Sequence, residues 1–179
     1  MSRIPLPSGL YKVVYADPAW QYSNWTEKKN GAAISHYSTM THQEIAALPV
    51  GKLADPAGCA LVLWATWPKM EEALFVMRSW GFQYKTGLFL WNKTYDDGSP
   101  YCGLGFYTRS GSEFCLLGLK GRMPPKSHSV RQVLTASRGR HSAKPHEIYE
   151  RIETLWDGPY VELFARNTRA GWVSWGDEV

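Results

Sequence analysis

Apolar residues along this 179-residue chain fall into two arrangements, unbroken runs and rows spaced three or four apart. Short unbroken runs bounded by polar or turn-forming segments read as strands buried on both faces. Lys12 to Ala16 is the first such run, and Cys59-Ala60-Leu61-Val62-Leu63-Trp64 the second. Tyr84 to Trp91, Glu113 to Leu119, a stretch near Val133, Tyr160 to Phe164 and Trp172 to Trp175 complete the set. Helical spacing occurs three times. Thr41 caps a short helix, with Glu44 as its capping-box partner. Pro68 opens a second at its first position; Met70, Ala73, Leu74, Met77 and Trp80 form its apolar face, and Gly81 stops it. Pro145 opens a third, with Ile148, Ile152 and Leu155 on one side. Tyr22 to Thr39 and Asn92 to Arg109 lack either pattern and read as long loops. Strands alternating with helices in one domain, residues 1–179, predict an α/β sheet with helices on both faces. In such sheets ligands bind beyond the C-terminal ends of strands, where the strand order reverses.

Composition adds limits. The chain is 44% hydrophobic and 20% charged, an ordinary globular balance. No apolar run is long enough to cross a bilayer, and the first residues, Met1-Ser2-Arg3-Ile4-Pro5, lack the apolar core of a signal peptide. A cytoplasmic protein is therefore expected. Three cysteines (Cys59, Cys102, Cys115) and five histidines show no paired or metal-ligand spacing, so neither a disulfide framework nor a metal site is expected. The net charge of +4 is unevenly placed. From Phe114 to His146 there is no acidic residue, while Lys120, Arg122, Lys126, Arg131, Arg138, Arg140 and Lys144 are basic. Such a segment suggests a polyanionic partner.

The densest chemistry is Asp17-Pro18-Ala19-Trp20, directly after the first buried strand. The Asp17 carboxylate and the Pro18 carbonyl can accept hydrogen bonds from one exocyclic amine. Pro18 fixes its own φ and restricts the residue before it, which holds those acceptors in place. Trp20 offers a flat face on which a nucleobase can stack. The competing reading of the tetrapeptide alone is a strand-to-turn boundary with a capping Asp and a core Trp.

Four segments in order weigh on that choice: Tyr15 to Trp20, Phe106-Tyr107-Thr108-Arg109 with Glu113 to Gly121 behind it, His141 to Glu147, and Glu162-Leu163-Phe164-Ala165-Arg166. With the closing Gly171-Trp172 and Gly176-Asp177, they resemble the MT-A70 family of adenine-N6 methyltransferases over nearly the whole chain, and most of all its short bacterial and phage members. The resemblance implies a Rossmann-like class I methyltransferase sheet in which the catalytic segment precedes the main cofactor segment, with S-adenosyl-L-methionine as methyl donor. It implies adenine in nucleic acid as substrate, DNA before RNA. A catalytically silent nucleic-acid-binding subunit is the alternative from another class, and a small-molecule acceptor ranks behind both. No separate target-recognition domain fits in this length, so selectivity is loose or comes from self-association or a partner subunit.

Residue by residue, the resemblance makes Asp17, Pro18, Ala19 and Trp20 the catalytic segment, a DPPW-type motif in which Ala19 replaces the second proline. Asp17, Lys144, Glu162, Phe164, Arg166, Thr168 and Asp177 would hold the cofactor: Lys144 its carboxylate, Glu162 its ribose hydroxyls, Arg166 either, and Asp177 the adenosine. Phe164 lines the adenosine pocket or belongs to the core. Thr168-Arg169 stands where His-Asn is frequent, and Asp177-Glu178 where amides are. On the substrate side, Asn24 and Trp25 would cover the base, and Tyr107, Arg109, Arg138 and Arg140 would meet base or phosphate. Each of these six has a solvated loop residue as its competing reading.

Overall fold

The computed structural model describes residues 5–22, 39–105, 107–139 and 143–179. Its strands are β1 (Val13–Ala16), β2 (Gly58–Ala65), β3 (Gln83–Thr94), β4 (Ser112–Gly121), β5 (Val133–Ser137), β6 (Tyr160–Leu163) and β7 (Trp172–Trp175). Its α-helices are α1 (His42–Ala47), α2 (Met70–Ser79) and α3 (Glu147–Leu155). All seven strands join one sheet in the order β5-β3-β4-β2-β1-β6-β7. The expected α/β architecture is present.

β1 and β2 are buried at every position, as unbroken apolar runs require of strands covered on both faces. Alternate residues then serve two cores. Val14, Ala16, Leu61 and Leu63 pack with Ile45 of α1 and Ala73, Val76 and Met77 of α2. Val13, Tyr15, Ala60 and Val62 pack on the other face with Ile148, Ile152 and Leu155 of α3. Each buried Val, Leu, Ile or Met among them contributes roughly 1.5–3 kcal/mol. The Thr41 capping box forms as expected: the Glu44 N–H donates to Thr41 Oγ1 at 3.2 Å, and the Thr41 N–H to Glu44 Oε2 at 2.8 Å.

β1 pairs in parallel with β2 on one side and β6 on the other. The chain leaves β1 towards β2 and comes back to the opposite flank as β6, so the strand order reverses between β1 and β6. A crevice is expected beyond their C-terminal ends. β4 runs antiparallel to both β2 and β3, because no helix separates β3 from β4. Its first residues therefore join the C-terminal ends of β1, β2 and β6 at one rim, and its last residues lie at the opposite rim.

Several boundaries differ from the sequence reading. β3 runs on to Thr94, into the expected loop, because Asn92 pairs with Ser112 and Thr94 with Ser137. Pro68 sits in a 3-10 turn, Trp67–Lys69, one turn ahead of α2; the Lys69 N–H donates to the Thr66 carbonyl there and no prolyl N–H is needed. β6 stops before Phe164, which takes a left-handed φ of 63°. That turn lets the Ala165 N–H reach the Trp175 carbonyl at 2.9 Å.

Candidate active site

Asp17 is the first residue beyond β1 and lies at the floor of a cleft between the ends of β1 and β6. The cleft is lined by Tyr15, Asp17, Ala143, Lys144, His146, Tyr149, Glu162, Phe164, Arg166, Asn167, Thr168 and Arg169. Six of the seven residues expected to hold a cofactor (Asp17, Lys144, Glu162, Phe164, Arg166 and Thr168) thus share one cavity, although 127 residues separate Asp17 from Lys144. Asp177 does not line it. It is exposed, and the neighbouring Glu178 instead approaches Arg166, with Oε1 3.9 Å from Nε.

Lys144 anchors the floor. Its ammonium donates to Asp17 Oδ2 at 2.6 Å, lies 3.3 Å from Glu113 Oε2, and sits 5.2 Å from the centre of the Trp64 ring. Glu113 in turn binds Lys93 through its other oxygen. Four charges therefore alternate in sign along the rim: Asp17, Lys144, Glu113, Lys93. Burial alone would push the Lys144 ammonium down, but the two carboxylates outweigh it and hold Lys144 above its ordinary value. Burial likewise works against the Glu113 charge, and the two lysines overcome it and keep the Glu113 carboxyl below its ordinary value.

Glu162 is only 7% exposed. The Tyr149 hydroxyl donates to its Oε1 at 2.9 Å, while Oε2 is buried with no partner among the described residues. Burial pushes this carboxyl up to about 7, against the opposing pull of the Tyr149 hydrogen bond; the Asp17 charge raises it further and the Arg169 charge lowers it. Ser174, in register with Glu162 on β7, has a buried hydroxyl that is also unpartnered among the described residues. A buried polar atom without a partner is unusual, and of these two residues Glu162 alone lines the cleft, where a bound polar group or a water can reach it. The left-handed Phe164 is strained for an aromatic residue, and such strain concentrates at ligand sites.

The segment expected to be catalytic is held by its backbone. The Trp20 N–H donates to the Pro18 carbonyl at 2.9 Å, and the Met40 N–H to the Ala19 carbonyl at 2.9 Å. The second contact restrains the position where a proline is missing. Trp20 corrects an expectation. It is 6% exposed, packed in the α1–α2 core, and its indole N–H donates to the Trp64 carbonyl at 3.1 Å. It offers no open face for stacking, because the tie between Trp20 and Met40 turns the ring inward.

Among the described residues, Tyr107, Arg109 and Arg138, expected on the substrate side, do not line the cleft. Tyr107 is fully exposed, and Arg109 is exposed in the same loop. Arg138 is exposed and bound to Tyr101, with Nη1 donating to the Tyr101 hydroxyl at 3.0 Å and the guanidinium 4.9 Å from the ring centre. Asn24, Trp25 and Arg140 lie outside the described residues.

Sequence reasoning missed Glu113 and Lys93, which complete the charge row, and Tyr149 and Arg169, which support Glu162. Arg169 makes a two-pronged contact with Glu153 at 3.1 and 3.2 Å and stacks on Tyr149 at 4.9 Å. A Glu followed by Phe114 and Cys115 at the start of an apolar strand, and a Tyr one position after Ile148 at a helix start, were the available signals.

Comparison with known proteins agrees with this geometry. The chain is 37% identical to the Type II methyltransferase M.MunI of Mycoplasma sp, over 97% of its own length and 80% of that protein. It is 29% identical to the human N(6)-adenine-specific methyltransferase METTL4, over 94% of this chain and 37% of the relative. The figure is also 29% for the human N(6)-adenosine-methyltransferase catalytic subunit METTL3, over 96% of this chain and 28% of the relative. The chain therefore spans most of the bacterial relative and well under half of the human ones. The MT-A70 family itself matches residues 11–178, so the chain belongs to that family and is a methyltransferase.

Proposed function

We propose that this chain transfers the methyl group of S-adenosyl-L-methionine to the exocyclic N6 amine of adenine in nucleic acid, with DNA as the preferred polymer. One observation carries the reading: the Asp17 carboxylate, paired to Lys144 at 2.6 Å, shares its cleft with the buried, half-satisfied Glu162. The donor set suits the cofactor. Glu162 Oε2 is an acceptor in want of a hydroxyl, Lys144 and Arg166 present cations for a carboxylate, and Phe164 presents an aromatic ring for adenine. When bound, the cofactor supplies a methyl group activated by a positively charged sulfur.

The chain's own residues do the rest. An adenine N6 amine is a weak nucleophile because its lone pair is delocalised into the ring. Hydrogen bonds from N6–H to Asp17 and to the Pro18 carbonyl favour a more tetrahedral nitrogen and stabilise the positive charge that grows on it. The Pro18 oxygen already accepts from the Trp20 N–H, and a carbonyl has a second lone pair for the amine. Lys144 holds Asp17 through Oδ2 and leaves Oδ1 to receive the amine. Holding the amine in place for the methyl group would supply much of the remaining acceleration. A base inside a duplex cannot reach this floor, so the target is flipped out or single-stranded.

The preference for DNA rests on the similarity to short bacterial members, one of which this chain nearly spans. The same similarity suggests work in the cytoplasm of a bacterial cell or a phage-infected host, alone, as a homodimer or beside a partner subunit. Incubation with labelled S-adenosyl-L-methionine and unmodified DNA or RNA tests the reading. We expect N6-methyladenine in DNA. Label in RNA alone would remove the DNA preference, and label in neither, with cofactor binding intact, would favour a silent subunit. Asp17→Ala is expected to lower the methylation rate at least a hundredfold while cofactor affinity stays nearly unchanged. Loss of cofactor binding would show that Asp17 has another role.

A further inference from the structure

With Trp20 buried, an open aromatic face near the catalytic carboxylate must come from elsewhere at the same rim. Trp67 provides it. It lies two residues beyond β2, the parallel neighbour of β1, and is 50% exposed. Since Ala16 pairs with Leu63, Trp67 is at most three residues beyond the level of Asp17 and one strand across, within about 12 Å.

The exposed indole is held rather than loose. Its Nε1–H donates to Ser112 Oγ at 2.9 Å, and its ring rests against Phe114 with centroids 4.7 Å apart. Ser112 adjoins Glu113, which contacts Lys144 on the active-site floor, so the ring is built onto the same row that carries Asp17. On the other side of Thr66 stands a second exposed ring, Tyr22, whose hydroxyl is 2.5 Å from Thr66 Oγ1 and whose face lies 5.5 Å from the Lys69 ammonium. An aromatic held at an angle and half open to water beside a catalytic site suits an unstacked nucleobase, because every base has a face to stack and the ring loses little freedom on binding.

We propose that Trp67 is a stacking platform for the base next to the target adenine, with Tyr22 extending it. The proposal rests on the reading of the substrate as nucleic acid. Trp67 acts on the neighbour of the reacting base, so it is a positioning residue for the polymer and leaves the cofactor site untouched.

The test uses single-stranded DNA oligonucleotides with one adenine, followed by binding anisotropy and by methylation. Trp67→Ala should weaken binding and raise KM by about tenfold, with kcat and cofactor affinity within twofold; Trp67→Phe should lie between. Oligonucleotides carrying an abasic site on one side of the adenine, then the other, supply the decisive comparison. The gap between wild type and Trp67→Ala should close for one of the two positions. Equal affinity of the two proteins for the intact oligonucleotide, or a gap unchanged by either abasic site, would overturn the platform. Binding is read separately from methylation. Wild-type binding with no N6-methyladenine would therefore defeat the catalytic reading while still deciding the role of Trp67.

Discussion

A carboxyl group buried in a sheet either collects donors or gives up its charge. Glu162 has collected one, from Tyr149, and its carboxyl rises from the ordinary 4.5 to about 7. The folded protein thus keeps a proton between those values that the unfolded chain has released. Its stability is greatest on the acid side of this window and falls as pH rises through it, by up to about 3 kcal/mol in the ligand-free protein. Thermal melts from pH 4.5 to 8 should show this decline, and Glu162→Gln should flatten it. An undiminished slope in Glu162→Gln would assign the proton elsewhere. The Tyr149 hydrogen bond pulls the Glu162 value down, so Tyr149→Phe should carry the decline to higher pH. If Glu162 Oε2 receives ribose hydroxyls, Glu162→Gln should also weaken cofactor binding by roughly tenfold, the effect of about one hydrogen bond to a charged group. The same substitution would then stabilise the ligand-free protein at pH 8 and weaken it for its ligand, a split that a plain packing residue does not show.

At the scale of elements, Glu162 depends on α3 and the turn after β6. The turn delivers Arg169 to Glu153 of α3, and Trp172 of β7 donates to the same carboxylate at 2.8 Å. The Arg169 guanidinium also covers Tyr149, the residue that holds Glu162, and approaches His146 Nε2 at 2.7 Å. Arg169→Ala should cost about 1–3 kcal/mol in urea unfolding at pH 7 and move the Glu162-linked decline to higher pH, since the lost cation lowers that carboxyl. Arg169→Lys should recover part of the second effect and little of the first, because an ammonium cannot make the two-pronged contact. None of this was legible in the chain, where residues 149, 153, 162 and 169 belong to separate patterns. The strands were legible, because runs such as Val13–Ala16 are apolar at every position and bury on both faces. The grouping of Asp17, Lys144, Glu162 and Arg166 was legible through the family resemblance. The inward turn of Trp20 was not, because it depends on a backbone tie to Met40, and neither was the outward turn of Trp67, because a tryptophan reads as core until its neighbours are known.

At the scale of the whole molecule, the topology divides the basic run that the sequence shows as one block. β4 leads away from the active rim, so Lys120, Arg122 and Lys126 come after the point where the strand has crossed the sheet. Lys120 there donates to the Gly51 carbonyl at 2.9 Å, and Lys126 pairs with Asp157 at 2.5 Å. β5 leads back, parallel to β3, and delivers Arg138 next to Thr94 at the active rim. Lys93 pairs with Glu113, and Lys144, paired with Asp17 and Glu113, faces the cofactor cleft rather than the polymer. Among the described residues of the basic run, only Arg138 is therefore delivered to this rim for phosphates. We expect nucleic-acid affinity to fall with salt only gently, with a log–log slope of about −2 to −3 rather than the −5 to −6 that seven phosphate contacts would give. Arg138→Ala should make that slope shallower by about one unit, and Arg122→Ala or Lys126→Ala should leave it alone. Binding titrations from 50 to 300 mM salt decide the matter. A steep slope that Lys126→Ala reduces would mean that the polymer wraps the sheet and reaches the far rim, and the substrate path would then have to be redrawn around β4.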